Sequence, residues 1–114
     1  MANALLSKTY SGGDNYTTAL SDASVYTAPA NTTSIIIGFT ISNLTTGFIS
    51  TTVKVYDSDA NQTVHFLKDI ILDTGSTLEI MGGNKMILNA NDSILISSDS
   101  SYSFDTVLSL VEQT

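Results

Sequence analysis

Cysteine, arginine and tryptophan are absent from this 114-residue chain, and proline and histidine each occur once. Without cysteine there is no disulfide framework and no thiol chemistry, which fits assembly in a cytosol. Without arginine there is no bidentate fork for phosphate or guanine. Four lysines oppose nine aspartates and two glutamates, for a net charge of −7. That charge repels phosphate backbones and anionic lipid, so neither nucleic acid nor a membrane surface is an expected partner. A lone histidine, His65, cannot build a protein-only zinc site, which needs several N or S ligands. The missing tryptophan weakens a sugar-stacking platform, although five tyrosines remain. No apolar run approaches a membrane span. The opening MANALLSKTYSGG lacks the charged and apolar regions of a signal peptide, so ordinary secretion is not expected.

Catalytic signatures are equally scarce. There is no G-x-S-x-G elbow. Gly82-Gly83-Asn84-Lys85 lacks the spacing of a phosphate-binding loop. Glu79 and Glu112 offer no motif for paired-carboxylate hydrolysis. The expectation is a protein that is not an enzyme and carries no cofactor.

What is abundant is serine and threonine, 32 of 114 residues, beside an apolar fraction of 42%. The apolar content is enough for one core, and the Ser/Thr bias points to strands joined by many turns. SVYTA ends at Pro29. In TSIIIGFTISN, Ile35, Ile37, Phe39 and Ile41 alternate with Ile36, Gly38, Thr40 and Ser42, which predicts a strand with its apolar face on the first set. Gly38 reads as a bulge or as merely a small residue on the weaker face, with the second preferred. STTVKVYD and QTVHFLKD flank a polar loop as a hairpin, with Val64 and Phe66 on one face and His65 on the other. Ile70–Leu72 continue it. STLEI, KMIL and SILIS follow, and in the last strand Phe104, Thr106, Leu108 and Leu110 share a face. About eight short strands with turns every eight to twelve residues predict an all-β antiparallel sandwich, jelly-roll or immunoglobulin-like, over residues 22–114.

Residues 1–21 show no sustained period. They read as a frayed terminus with one irregular strand, as a short helix at 2–8, or as an extended N-terminal arm. The arm would dock on a neighbouring subunit through Leu5, Leu6, Tyr10, Tyr16 and Leu20.

Asp57, Asp59 and Asn61 in VYDSDANQTVHF open like a calcium loop. Position six is Gln62 instead of glycine, position twelve is Lys68 instead of glutamate, and both flanks are strands. The stretch reads as a hairpin tip in which Asp and Asn bond their own backbone. It is a candidate loop contact, with a looser calcium site as the alternative. The five N-x-[ST] sequons, at Asn15, Asn31, Asn43, Asn61 and Asn91, read as strand ends.

The stretches SVYTAPANTTSIIIGFTISNLT and LDTGSTLEIMGGNKMILNANDSILISSDSSYSFDTVLSLVE carry a further pattern. A "VYT-P" strand leads into an Ile-rich strand ending in Asn and Thr. After a hairpin come a Gly75-Ser76 turn, an apolar strand, "GG" and a lysine-containing strand. Leu88, Ala90, Asp92, Ser93 and Ile94 follow, with Asn89 and Asn91 inserted, and Leu110-Val111-Glu112 closes the pattern. Over residues 24–114 this resembles small β-sandwich virion structural proteins of tailed, marine-type bacteriophages. The resemblance implies a virion protein assembled in the host cytoplasm, most simply a capsid decoration or cement protein. A neck, tail or fibre component is the alternative, and a glycan-binding adhesin module a second. It also implies other virion proteins as partners, such as the major capsid protein or neck and tail proteins. A homo-oligomer is expected, with a symmetric trimer as one form.

Overall fold

Strands are dictated here by β-branched residues in alternation, and in the computed structural model, which describes residues 3–114, nearly all of the regular secondary structure is strand. The elements are β1 (Asn3–Ser11), α1 (Gly12–Asn15), β2 (Ala23–Thr27), β3 (Thr33–Asn43), β4 (Ile49–Asp57), β5 (Gln62–Leu72), β6 (Thr77–Glu79), β7 (Met86–Leu88), β8 (Ser93–Ser98) and β9 (Phe104–Gln113). One sheet runs β1-β9-β3-β6 with β7 also on β3, and the other runs β2-β8-β4-β5. Every pairing is antiparallel.

The pairing is nested. β4 meets β5, β3 meets β6 and β7, β2 meets β8, and β1 meets β9. A long antiparallel ribbon rolled so that its successive layers alternate between two sheets is a jelly roll. Of the two sandwich forms expected, the chain therefore adopts this one.

The expected arm is, over Asn3–Ser11, the outer strand of the first sheet, in continuous register with β9 from Asn3↔Gln113 to Ser11↔Asp105. Met1 and Ala2 lie outside the described residues. Leu6 and Tyr10 pack on the core, and Tyr16 is a full member of it. The physical reason is that β9 has its own inward apolar set, Leu108 and Leu110, which a paired β1 helps to cover.

Inward-facing Ile36, Phe39, Ile41, Val53, Ile94, Ile96, Phe104, Leu108 and Leu110 are at most 1% exposed. Each stabilises the fold by about 1.5–3 kcal/mol relative to exposure. The phase of β3 differs from the expected one. A register shift between Ile36 and Gly38 leaves Ile37 as an extra residue opposite the Leu110–Ser109 step. One inserted residue reverses which face the preceding side chains occupy. Ile36 is therefore buried with Phe39 and Ile41, while Ile35 is half-buried and Ile37 is exposed. Gly38 marks a bulge, contrary to the preferred reading.

The sequence pattern places Val64 and Phe66 on one face of the β4–β5 hairpin. Both stay more than two-fifths exposed. β5 is an edge of its sheet, and one edge of the other sheet is only the three-residue β6 and β7.

The turns use asparagine where a left-handed backbone is needed. Asn31, Asn61 and Asn91 have φ of 59°, 50° and 69°, a region that asparagine tolerates because its short side chain bonds locally. Asn43 ends β3, 3% exposed. Its Nδ2 donates to the carbonyls of Gly47, Leu72 and Asp73 at 2.9–3.0 Å, and its Oδ1 accepts from the N–H and hydroxyl of Thr45 at 2.8 Å. The sequons at Asn31, Asn43, Asn61 and Asn91 thus mark strand ends, as their sequence context implied, whereas Asn15 ends α1.

Candidate functional site

At one end of the sandwich three loops converge: residues 12–22, 44–48 and 99–103. Main-chain bonds tie them together. Leu20 N–H donates to the Ser98 carbonyl (2.7 Å), Tyr102 N–H to that of Tyr16 (2.7 Å) and Leu44 N–H to that of Ser103 (2.9 Å).

Tyr16 is the anchor. Its ring packs on Phe104 with centroids 4.9 Å apart. Its hydroxyl donates to Ser21 O at 2.6 Å and accepts from Ser98 N–H at 2.9 Å. Tyr10 stacks on the other side of Phe104, at 5.8 Å. Burial, and secondarily Tyr16, pushes the Tyr10 hydroxyl above its ordinary pKa. Gly12 is required by close approach, because a Cβ there would sit 2.0 Å from the Phe104 carbonyl oxygen.

On this rigid base four large apolar side chains stand in solvent: Leu20 (78% exposed), Phe48 (70%), Tyr102 (51%) and Leu44 (47%). Leu20 and Tyr102 have φ of 67° and 51°. A bulky residue in this region is strained, and such strain persists only where the surroundings impose it. Their N–H bonds to Ser98 and Tyr16 impose it here. The nearby carboxylates are structural. Asp99 accepts from Ser50 N–H (3.0 Å), Asp105 from Gly13 N–H (3.2 Å) and Asp73 from Thr74 N–H (2.7 Å).

The sequence-derived interface set therefore divides. Leu20 joins the apolar loop end, Leu5 is exposed on β1, Leu6 and Tyr10 face inward, and Tyr16 is core. Leu44 and Phe48 were missed, because in sequence they sit among Ser, Thr and Gly as ordinary turn residues, and Tyr102 was legible only as one of five tyrosines that could mark a sugar or protein contact.

The Asp57–Asn61 tip lies at the opposite end. Asp57 Oδ1 accepts from Ala60 N–H (3.3 Å), and Asn61 Oδ1 accepts from the Tyr56 hydroxyl (2.9 Å). Asp59 is exposed. Asp92, 5% exposed, fastens the tip by accepting from Ser58 N–H and Asn89 N–H, both at 2.9 Å. These bonds are those of a backbone-bonded turn. Among the described residues no group of three or more His, Cys, Asp or Glu is placed to hold a metal ion, and there is no cavity.

The sequence matches no protein-family model and no curated protein. Its fold does have solved counterparts. The structure of Bacillus endospore appendages, which are disulfide-linked pili, superposes with a TM-score of 0.56 at 14% identity, covering 99% of this chain and 87% of that one. The VP2 subviral particle of infectious bursal disease virus superposes with a TM-score of 0.53 at 13% identity, over 95% of this chain and 32% of that one. At these identities the likeness is one of fold.

Proposed function

We infer that the chain is a non-enzymatic structural subunit of a larger assembly, and specifically a virion protein that decorates or cements a capsid. The observation that carries this is the apolar loop end, where Leu20, Leu44 and Tyr102 are held in solvent by main-chain bonds and Phe48 follows Gly47, whose carbonyl accepts from Asn43 Nδ2. Exposed apolar groups clustered on a rigid support mark a protein contact. The two solved counterparts, a pilus and a subviral particle, are both multi-copy assemblies. The resemblance to phage virion proteins supplies the finer placement. The acidic character of the surrounding loops suits a partner surface rich in lysine, arginine or backbone amides.

The test is incorporation into particles. Phe48→Ser combined with Leu20→Ser should leave strand content unchanged by circular dichroism, because both side chains are exposed. Occupancy on purified particles should fall at least about tenfold if both side chains are buried on docking. Unchanged occupancy overturns docking through this end. Decoration gives hundreds of copies per particle, whereas a neck or tail position gives about six to a few dozen, following the cyclic symmetry of such rings.

A further inference from the structure

The two outward sheet faces differ sharply. On the β2-β8-β4-β5 sheet the outward rows are Ser24-Leu95-Lys54-His65 and Thr27-Ser93-Tyr56-Thr63. Lys54 is also paired with Asp22 at 3.2 Å. That face is an ordinary solvated one.

The β1-β9-β3 sheet is different. Leu5, Val111, Ile35 and Ile87 stand in one row across four strands. Leu5 is 75% exposed and Ile87 66%. The next row is Ser7, Ser109 and Gly38. A Cβ on Gly38 would meet the Ser109 Cβ at 3.4 Å, so the row is low and closed. The third row is Thr9, Val107, Thr40 and Glu79. The bulge contributes exposed Ile37 beside them. The first two rows hold no ionisable group. Glu79 sits at the sheet edge, where its Oε1 accepts from Met81 N–H at 3.0 Å.

We propose that this face packs against the same face of a second copy, in a two-fold dimer. Three observations lead there. The first is relief: an apolar ridge lies beside a trough of small residues, about 7 Å away along the strands. A two-fold axis between them seats each ridge in the partner's trough. The second is charge. A molecule of net charge −7 meets its own copy at least Coulomb cost where it carries no charge, and the first two rows carry none, with Glu79 and Asp105 in the rows beyond. The third is area. Three strands about 4.8 Å apart and about nine residues long, with the three-residue β6 and β7 beside them, present about 550 Å². Two such faces reach about 1,100 Å², enough for a specific interface. The surface is separate from the loop end, so the dimer does not depend on capsid docking.

Sedimentation equilibrium of the full chain, at concentrations up to about 100 µM, tests this. A dimer is expected, and Ile87→Lys or Val107→Lys should weaken it at least about tenfold by burying an unpaired charge. Both side chains are exposed, so thermal melts should be unchanged at concentrations low enough that the wild type is monomeric. The natural absence of cysteine allows a second arm. Ser109→Cys should be joined into dimers by a short bis-maleimide, and Thr63→Cys, on the other sheet, should not. A monomer at the highest concentration overturns the proposal, as does a dimer that ignores both lysine variants or cross-links only through position 63. Loss of particle binding by Ile87→Lys in a monomeric protein would also overturn it, assigning the face to the particle.

Discussion

Asn43 engages five partner atoms from one side chain, its two amide hydrogens shared among three carbonyls, and closes both the β3–β4 connection and the end of β5. Asn43→Ala should cost about 1–3 kcal/mol, because carbonyls of Leu72 and Asp73 lose their donor, and chemical denaturation measures it. Thr106 is the converse case. Its hydroxyl is buried on β9 and has no hydrogen-bond partner among the described residues. Thr106→Val keeps the shape and removes the desolvated hydroxyl, so stability should rise by about 1 kcal/mol. Tyr26 joins the two sheets, its hydroxyl bonding Ser34 at 2.7 Å and Glu112 at 2.5 Å. Burial first, and then the bond to Glu112, raise its pKa from 10.0 to about 12. A raised folded-state pKa gives stability that is fully present below pH 10 and lost as pH rises through about 12. Denaturation midpoints of the wild type should therefore fall more steeply than those of Tyr26→Phe across that window. Parallel curves would remove Tyr26 as the cause.

At the scale of elements, the bulge in β3 determines which isoleucines are core. If Ile37 is the extra residue, deleting it restores simple alternation, with Ser34, Ile36, Phe39 and Ile41 inward and Ile35, Gly38 and Thr40 outward. The deletion should fold, at a cost of about 2 kcal/mol or less, whereas deleting Thr40 should abolish folding by turning Ile41 and Asn43 outward. Proton-detected hydrogen exchange on both variants checks this. The same bulge explains what was not legible in the sequence. Strand existence followed from β-branched alternation, and the inward set of β9 was read correctly because β9 is regular. In β3, period-2 counting placed Ile35 and Ile37 inside, since a one-residue insertion leaves no compositional trace beyond Gly38. The N-terminal strand was legible only as one irregular strand of a frayed terminus, beside the arm and helix readings, for a related reason: NALLSKTYS alternates weakly because β1 is an edge with most of its residues exposed. Its pairing partner lies about a hundred residues away.

For the whole molecule, the turn chemistry and the sandwich were readable, while the interaction surfaces were not. Leu20 was legible as a candidate contact because it is apolar in a polar segment. Phe48, Tyr102 and Leu44 join it only through the closure of three loops distant in sequence. The apolar outward face arises from register across four strands, which no single segment encodes. In the proposed function both surfaces serve one role, a subunit that contributes contacts instead of chemistry. Quantitative mass spectrometry of purified particles tests that role most directly. Hundreds of copies per particle, lost together with the loop-end side chains Leu20 and Phe48, is the expected result. Absence of the chain from particles would contradict it.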